Sequence, residues 1–178
     1  MSESFNLNGT PISVLKGDIT DLDIESFVFY AREDLRLGSG FGTAIAIRGG
    51  QTIQEELENL APVKTTDVVL SKAGELKAKY ILHAVGPKFM EEDLEGKLRR
   101  TILNTLKTAE ENGIRKVAFP PMGTGFYGVP LDTSADITFS TIKEYLNKGS
   151  KIEEIIICAL DNREFIPFRQ RLDRLAKA

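Results

Sequence analysis

Tryptophan is absent from this 178-residue chain, and cysteine and histidine occur once each. A single cysteine excludes an intramolecular disulfide and suits a reducing compartment. Cys158 lies inside the apolar run Ile155–Leu160 and reads as a buried structural thiol. A nucleophile belongs instead at a strand end or helix start with a base nearby. Long apolar runs are missing too. No segment approaches the roughly 18 residues of a membrane span. The polar start Met1–Gly9 lacks the charge and apolar core of a signal peptide, so a cytoplasmic location is expected and no membrane partner. A surplus of positive charge is also lacking. The 23 Lys and Arg face 26 Asp and Glu, a net charge of −3. That balance argues against nucleic acid held by phosphate neutralisation. It leaves room for a small anion, because N–H groups at a helix start hold a diphosphate without lysine. No linker, repeat or low-complexity segment interrupts the chain, so residues 1–178 read as one domain, long enough to bury a core unaided.

What is present alternates between short strands and amphipathic helices. Phe5–Thr10 and Ile12–Leu15 flank an Asn-Gly turn at Asn8-Gly9 and read as a hairpin. Phe27–Tyr30, Val68–Leu70, Tyr80–Leu82, Lys116–Phe119 and Ile155–Leu160 read as strands, the last buried on both faces. Helical spacing joins Leu98, Ile102, Leu106 and Ala109, with Gly113 as a stop. Leu131 to Leu146 and Phe165 to Leu175 repeat the pattern. Ala44–Ala46 begins a helix interrupted by Gly49-Gly50, and Ile53, Leu57 and Leu60 carry a second segment to Pro62. The fold class predicted is α/β, a three-layer α/β/α sandwich around a mixed, mostly parallel sheet.

Ligands in such folds bind beyond the carboxyl ends of the strands. Three features should meet there: Asp18 after an early strand, the run Gly38-Ser39-Gly40-Phe41-Gly42 before a helix, and the loop Pro120–Pro130 after Phe119. The first glycine run is neither a dinucleotide fingerprint nor a P-loop. Counting Gly-x-Gly-x-x-Gly from Gly38 or Gly40 puts Thr43 or Ile45 at the last glycine, and no Lys-Ser or Lys-Thr follows at the required spacing. Glycines do let a backbone approach a phosphate closely. Two such loops facing each other would clamp a diphosphate, with Phe126 and Tyr127 as apolar walls for a ribose. Asp18 alone would read as a turn or helix-capping aspartate. His83, mid-strand among apolar neighbours, reads as a core histidine.

Four segments in order resemble the macrodomains: Gly17-Asp18-Ile19-Thr20, the glycine run leading into Ala44-Ile45, Tyr80–Pro87, and Met122–Pro130. The resemblance runs from about Ile12 to Leu172. It implies a mixed sheet between helices and an ADP-ribose cleft. By that resemblance Asp18 would accept from the adenine amine and the Ile19 backbone would hold the base edge. Gly38, Ser39, Gly40, Phe41 and Gly42 would wrap the diphosphate and the distal ribose. Gly123, Thr124, Gly125, Phe126 and Tyr127 would close the other side. Leu160 to Asn162 would border the adenine, with Leu160 where family members often carry an aromatic ring.

The chain departs from the family where chemistry is done. Phe29-Tyr30-Ala31-Arg32 stands where active macrodomains carry Asn-Ala-Ala-Asn, and Gly42-Thr43 where hydrolases place an aspartate. Phe29 is expected in the core, with Tyr30, Arg32 and Glu33 at the cleft rim or just outside it. Arg32 would reach a phosphate or the terminal ribose hydroxyls as a charged donor. Arg32, Glu33 and Asp34 read either as replacement chemistry or as a solvated loop. Three readings follow: a binding module for ADP-ribose or a related nucleotide, free or on an ADP-ribosylated protein; an ADP-ribosyl hydrolase or O-acetyl-ADP-ribose deacetylase using non-standard residues; or a macrodomain-like scaffold for another ligand. None calls for a cofactor or a metal.

Overall fold

A computed structural model describes residues 4–38 and 40–177. The chain opens with the hairpin β1 (Ser4–Leu7) and β2 (Thr10–Lys16), turning at Asn8 and Gly9, both at positive φ as a two-residue hairpin turn requires. A short 3-10 turn at Ile19–Asp21 leads to β3 (Ser26–Tyr30), α1 (Phe41–Gly49) and α2 (Gln51–Glu58). Then come β4 (Val68–Lys72), β5 (Tyr80–Ala84), α3 (Leu94–Glu111) and β6 (Lys116–Phe119). The chain ends with α4 (Leu131–Asn147), β7 (Glu154–Ala159) and α5 (Asn162–Lys177).

The seven strands form one sheet in the order β1-β2-β7-β6-β3-β5-β4. The inner pairs β2–β7, β7–β6, β6–β3 and β3–β5 are parallel, and the outer pairs β1–β2 and β5–β4 are antiparallel. This is the mixed, mostly parallel sheet expected. Alternate residues feed two cores. Val28, Leu82, Val117, Phe119, Ile155 and Ile157 pack with α3, α4 and α5 on one face. Phe27, Ile81, Ala118 and Cys158 pack with α1 and α2 on the other. The second amphipathic segment is shorter than its pattern suggests: α2 stops at Glu58 and Leu60 is exposed.

Both chemically distinctive core residues sit inside strands. Cys158 is buried, and its thiol donates to the Gly17 carbonyl at 3.4 Å. Burial, followed by the nearby Asp18 and Glu164 carboxylates, pushes it up to about 12, so it is an inert thiol. His83 is fully buried on β5, with Nε2 2.8 Å from the Ser71 hydroxyl on the neighbouring strand. Its Nδ1 meets no partner among the described residues, so the histidine is only half satisfied.

No helix among the described residues is long and apolar enough to cross a membrane. No group of three or more His, Cys, Asp or Glu among them could hold a metal ion.

Candidate functional site

The parallel core of the sheet sends the ends of β2, β7, β6 and β3 to one rim. A cleft of about 370 Å³ opens there, a size suited to a small organic ligand. One wall is the start of α1, with Gly40 and Phe41. The facing wall is the loop after β6, with Gly123, Thr124, Gly125, Phe126 and Tyr127. Pro120 and Pro121 line it between the two, Phe29, Tyr30, Arg32 and Arg36 at the β3 end, and Glu164 from α5 at the β7 end.

Local sequence explains both walls. Gly40 occupies the cap position of α1 at φ 56° and ψ −131°, and no side chain among the described residues caps the helix. The Thr43 N–H donates to the Gly40 carbonyl at 3.2 Å, and the Phe41 and Gly42 N–H groups lack the side-chain partner that a Ser or Asp would supply. The opposite loop is held by its own carbonyls. Met122 O accepts from the Ser134 hydroxyl at 2.7 Å, Gly123 O from the Val129 N–H at 2.9 Å, and Pro121 O from the Thr124 hydroxyl at 3.1 Å. Gly123, Gly125 and Gly128 all stand at positive φ, which explains three glycines in six residues. A Cβ at Gly123 would fall 2.7 Å from Val129, whereas one at Gly125 would meet no protein atom within 4 Å.

The segment between β3 and α1 is shaped by two polar side chains. Asp34 accepts from the Arg36 N–H at 3.0 Å, and Gln54 of α2 accepts from the Leu37 N–H at 3.0 Å. Leu35 and Leu37 are buried, so Arg36 between them is exposed toward the cleft. Arg32 pairs with Asp34 at 2.8 Å. The Arg36 N–H, assisted by the Arg32 and Arg36 guanidiniums, holds the Asp34 carboxyl below its ordinary range. Glu33 points away, 3.5 Å from both Lys88 Nζ and the Thr65 hydroxyl.

The end of β3 reverses one expectation. Phe29 is only half-buried and lines the cleft, with its ring against the α1 start: a Cβ on Gly42 would sit 3.2 Å from Phe29 Cζ. Tyr30 is the more buried of the two, at 8% exposure, and its hydroxyl donates to the Pro87 carbonyl at 2.5 Å. Strand alternation is the reason. Tyr30 shares the α3–α4–α5 face with Val28, and Phe29 takes the opposite face, which opens into the cleft at the strand's end.

At the β2 and β7 end, Asp18 is already engaged. Its Oδ1 accepts from the Thr20 N–H at 2.9 Å and hydroxyl at 2.6 Å, and its Oδ2 accepts from Arg48 at 2.6 Å. Burial raises its carboxyl, but the Thr20 and Arg48 hydrogen bonds outweigh that and hold it below the usual range. It is thus both a cap for the 3-10 turn and the partner of an α1 arginine. Ile19 is buried, Leu160 is exposed, and Asn162 accepts from Lys16 at 2.8 Å. Glu164 accepts from the Leu160 N–H at 2.8 Å, with its side chain 12% exposed.

Of the residues singled out from the sequence, Arg32, Gly40, Phe41 and Gly123 to Tyr127 line the cleft. Asp18, Ile19, Gly38, Gly42, Leu160 and Asn162 lie outside its lining, and Ser39 lies outside the described residues. Sequence reasoning missed Arg36, Glu164 and Arg48. Arg36 stands two residues before the glycine run, a legible signal. Nothing local marks Glu164, which lines the cleft, or Arg48, which pairs with Asp18 outside that lining.

The family profile described as Macro domain matches residues 30–138. A macro domain-containing protein of Caldanaerobacter subterraneus subsp. tengcongensis is 34% identical over 172 residues, covering 93% of this chain and 98% of that protein. Among solved structures, a mutant of the Oceanobacillus iheyensis macrodomain with ADPR superimposes with a TM-score of 0.94 at 23% identity, covering 100% of both chains. The Trypanosoma brucei macrodomain in complex with ADP-ribose gives a TM-score of 0.84 at 26% identity, over 89% of this chain and 68% of that one.

Proposed function

The chain belongs to the macro domain family, and on that premise we propose that residues 1–178 form one domain whose cleft binds ADP-ribose or a closely related adenine nucleotide. One observation carries the reading: an uncapped helix start at Gly40-Phe41 faces the glycine-rich loop Gly123–Tyr127 across a cleft at the carboxyl rim of the sheet. Uncapped first-turn amides and the loop backbone suit a diphosphate between them. The base lies toward β2 and β7, where the second lone pair of Asp18 Oδ2 accepts the adenine amine beside Arg48 and the Ile19 backbone holds the base edge. Leu160 and Asn162 border it. Gly38 and Gly42 complete the first loop around the diphosphate.

Asp18→Ala is expected to weaken ADP-ribose binding by about 1–3 kcal/mol, the cost of a hydrogen bond to a charged acceptor. Calorimetric titration beside a thermal melt checks this. Unchanged affinity in a folded variant removes Asp18 from the site.

The binding role proceeds without the usual hydrolysis. Glu33 is turned toward Lys88, and Asp34 is spent on Arg32 and the Arg36 N–H with a depressed pKa, which makes it a poor base. Release of mono-ADP-ribose from glutamate or aspartate of a modified protein is expected to be slow or undetectable, even at saturating substrate. Robust release that disappears in Glu33→Ala or Asp34→Ala would establish the enzyme instead.

A further inference from the structure

We infer that the β3 end of the cleft selects a nucleotide whose chain ends in a phosphate over one that ends in a neutral ribose. The inference rests on the reading of the cleft as an adenine-nucleotide site and names the terminal group that site prefers.

The charged residues lining the cleft divide by position. Glu164 stands at the β7 end, and Arg32 and Arg36 stand at the β3 end. Arg36 has no ion pair within 4 Å among the described residues. Its backbone N–H, not its guanidinium, holds Asp34. Among the described residues Asp34 pairs with Arg32 and no carboxylate pairs with Arg36, so the Arg36 guanidinium is left without a counter-charge within 4 Å. Glu33 adds nothing, being turned to Lys88.

Hydrogen-bond chemistry points the same way. A ribose presents hydroxyls that need acceptors as well as donors, whereas a phosphate needs donors only. Apart from the Tyr127 hydroxyl, which both donates and accepts, the acceptors at this end already hold a partner. Tyr30 spends its hydroxyl on the Pro87 carbonyl, and the Asp34 carboxylate is bonded to Arg32 and to the Arg36 N–H. Phe29 lays an apolar ring against the α1 start and supplies no acceptor for a ribose hydroxyl. Two guanidinium forks remain, the donors best matched to phosphate oxygens. Leu35 and Leu37, buried on either side, and Gln54, bonded to the Leu37 N–H and the Leu35 carbonyl, fix the backbone from which Arg36 projects. The placement is thus built into the loop.

The test is isothermal titration of the wild-type protein with ATP, ADP and ADP-ribose in metal-free buffer at moderate salt, repeated on Arg36→Gln. ATP should bind about tenfold more tightly than ADP-ribose. Arg36→Gln should weaken ATP binding about tenfold more than it weakens ADP-ribose binding, cancelling the preference. Arg36 is exposed, so the variant should fold, and a thermal melt confirms it. Tighter binding of ADP-ribose than of ATP in the wild type, or equal weakening of both ligands in the variant, overturns the inference and leaves nucleotide binding standing. Failure of all three nucleotides to bind overturns the nucleotide site itself, and this inference with it.

Discussion

Gly125→Val should abolish ADP-ribose binding, a loss of about 100-fold or more, in a protein that still folds. Gly125 lines the cleft, and a Cβ built on it meets no protein atom within 4 Å. The added methyls would therefore occupy ligand space, not core. The backbone cost is separate. Gly125 stands at φ 68°, so a valine there carries strain of about 1–3 kcal/mol without displacing a neighbour. Gly42 supplies the contrast. A Cβ on Gly42 would lie 3.1 Å from the Leu37 backbone and 3.2 Å from the Phe29 ring, so Gly42→Ala should act on the fold. Titration with ADP-ribose together with thermal unfolding separates the two effects. Binding within about threefold of wild type in Gly125→Val would remove the second loop from the site.

Acid should destabilise this protein steeply between pH 6.5 and 5, before most carboxylates titrate, and His83 should account for it. Burial pushes His83 down to about 3 from an ordinary value near 6.5. The folded state therefore keeps the ring neutral over a range in which the unfolded chain takes up a proton. Stability is fully present above about pH 6.5 and is lost as pH falls toward 3, at up to about 1.4 kcal/mol per pH unit. The drop reaches about 2 kcal/mol by pH 5, a large share of an ordinary domain's margin. Below pH 5 the depressed carboxyls of Asp18 and Asp34 add their own losses, so the upper window isolates the histidine. Urea unfolding at pH 7.0, 6.0 and 5.0 measures it. His83→Gln keeps a donor for Ser71 and removes the titration, so its stability should be nearly flat across that range. Equal slopes in the two proteins would assign the acid sensitivity to other groups.

Much of the sheet was readable in the chain. Ile155–Ala159 is apolar at every position because β7 is buried on both faces, and Asn8-Gly9 supplies the positive φ values its hairpin demands. The loop after β6 was legible for the same reason: Gly123, Gly125 and Gly128 stand at positive φ, as only Gly40 does in the first glycine run. The end of β3 was harder. Phe29 and Tyr30 are both aromatic, so composition carries no sign of which one packs into the core with α3, α4 and α5. That depends on the pleat at the strand's last residues and on the Pro87 carbonyl waiting for the Tyr30 hydroxyl.

Periodicity and backbone chemistry set the alternation of strands and helices, the apolar identity of the two cores, and the positive-φ glycines of the loop after β6. These are local properties, set by side-chain period and allowed dihedral angles. Tertiary structure decided which ends share a rim. The order β2-β7-β6-β3 draws together residues from near the start, middle and end of the chain, and so places Glu164 at one end of the cleft and Arg32 and Arg36 at the other. It also brought Arg48 onto Asp18, turning a capping aspartate into a paired one. Parallel strands pair only through crossovers, so no short window of sequence contains the partners. The charge pattern of the cleft exists only once the sheet has closed.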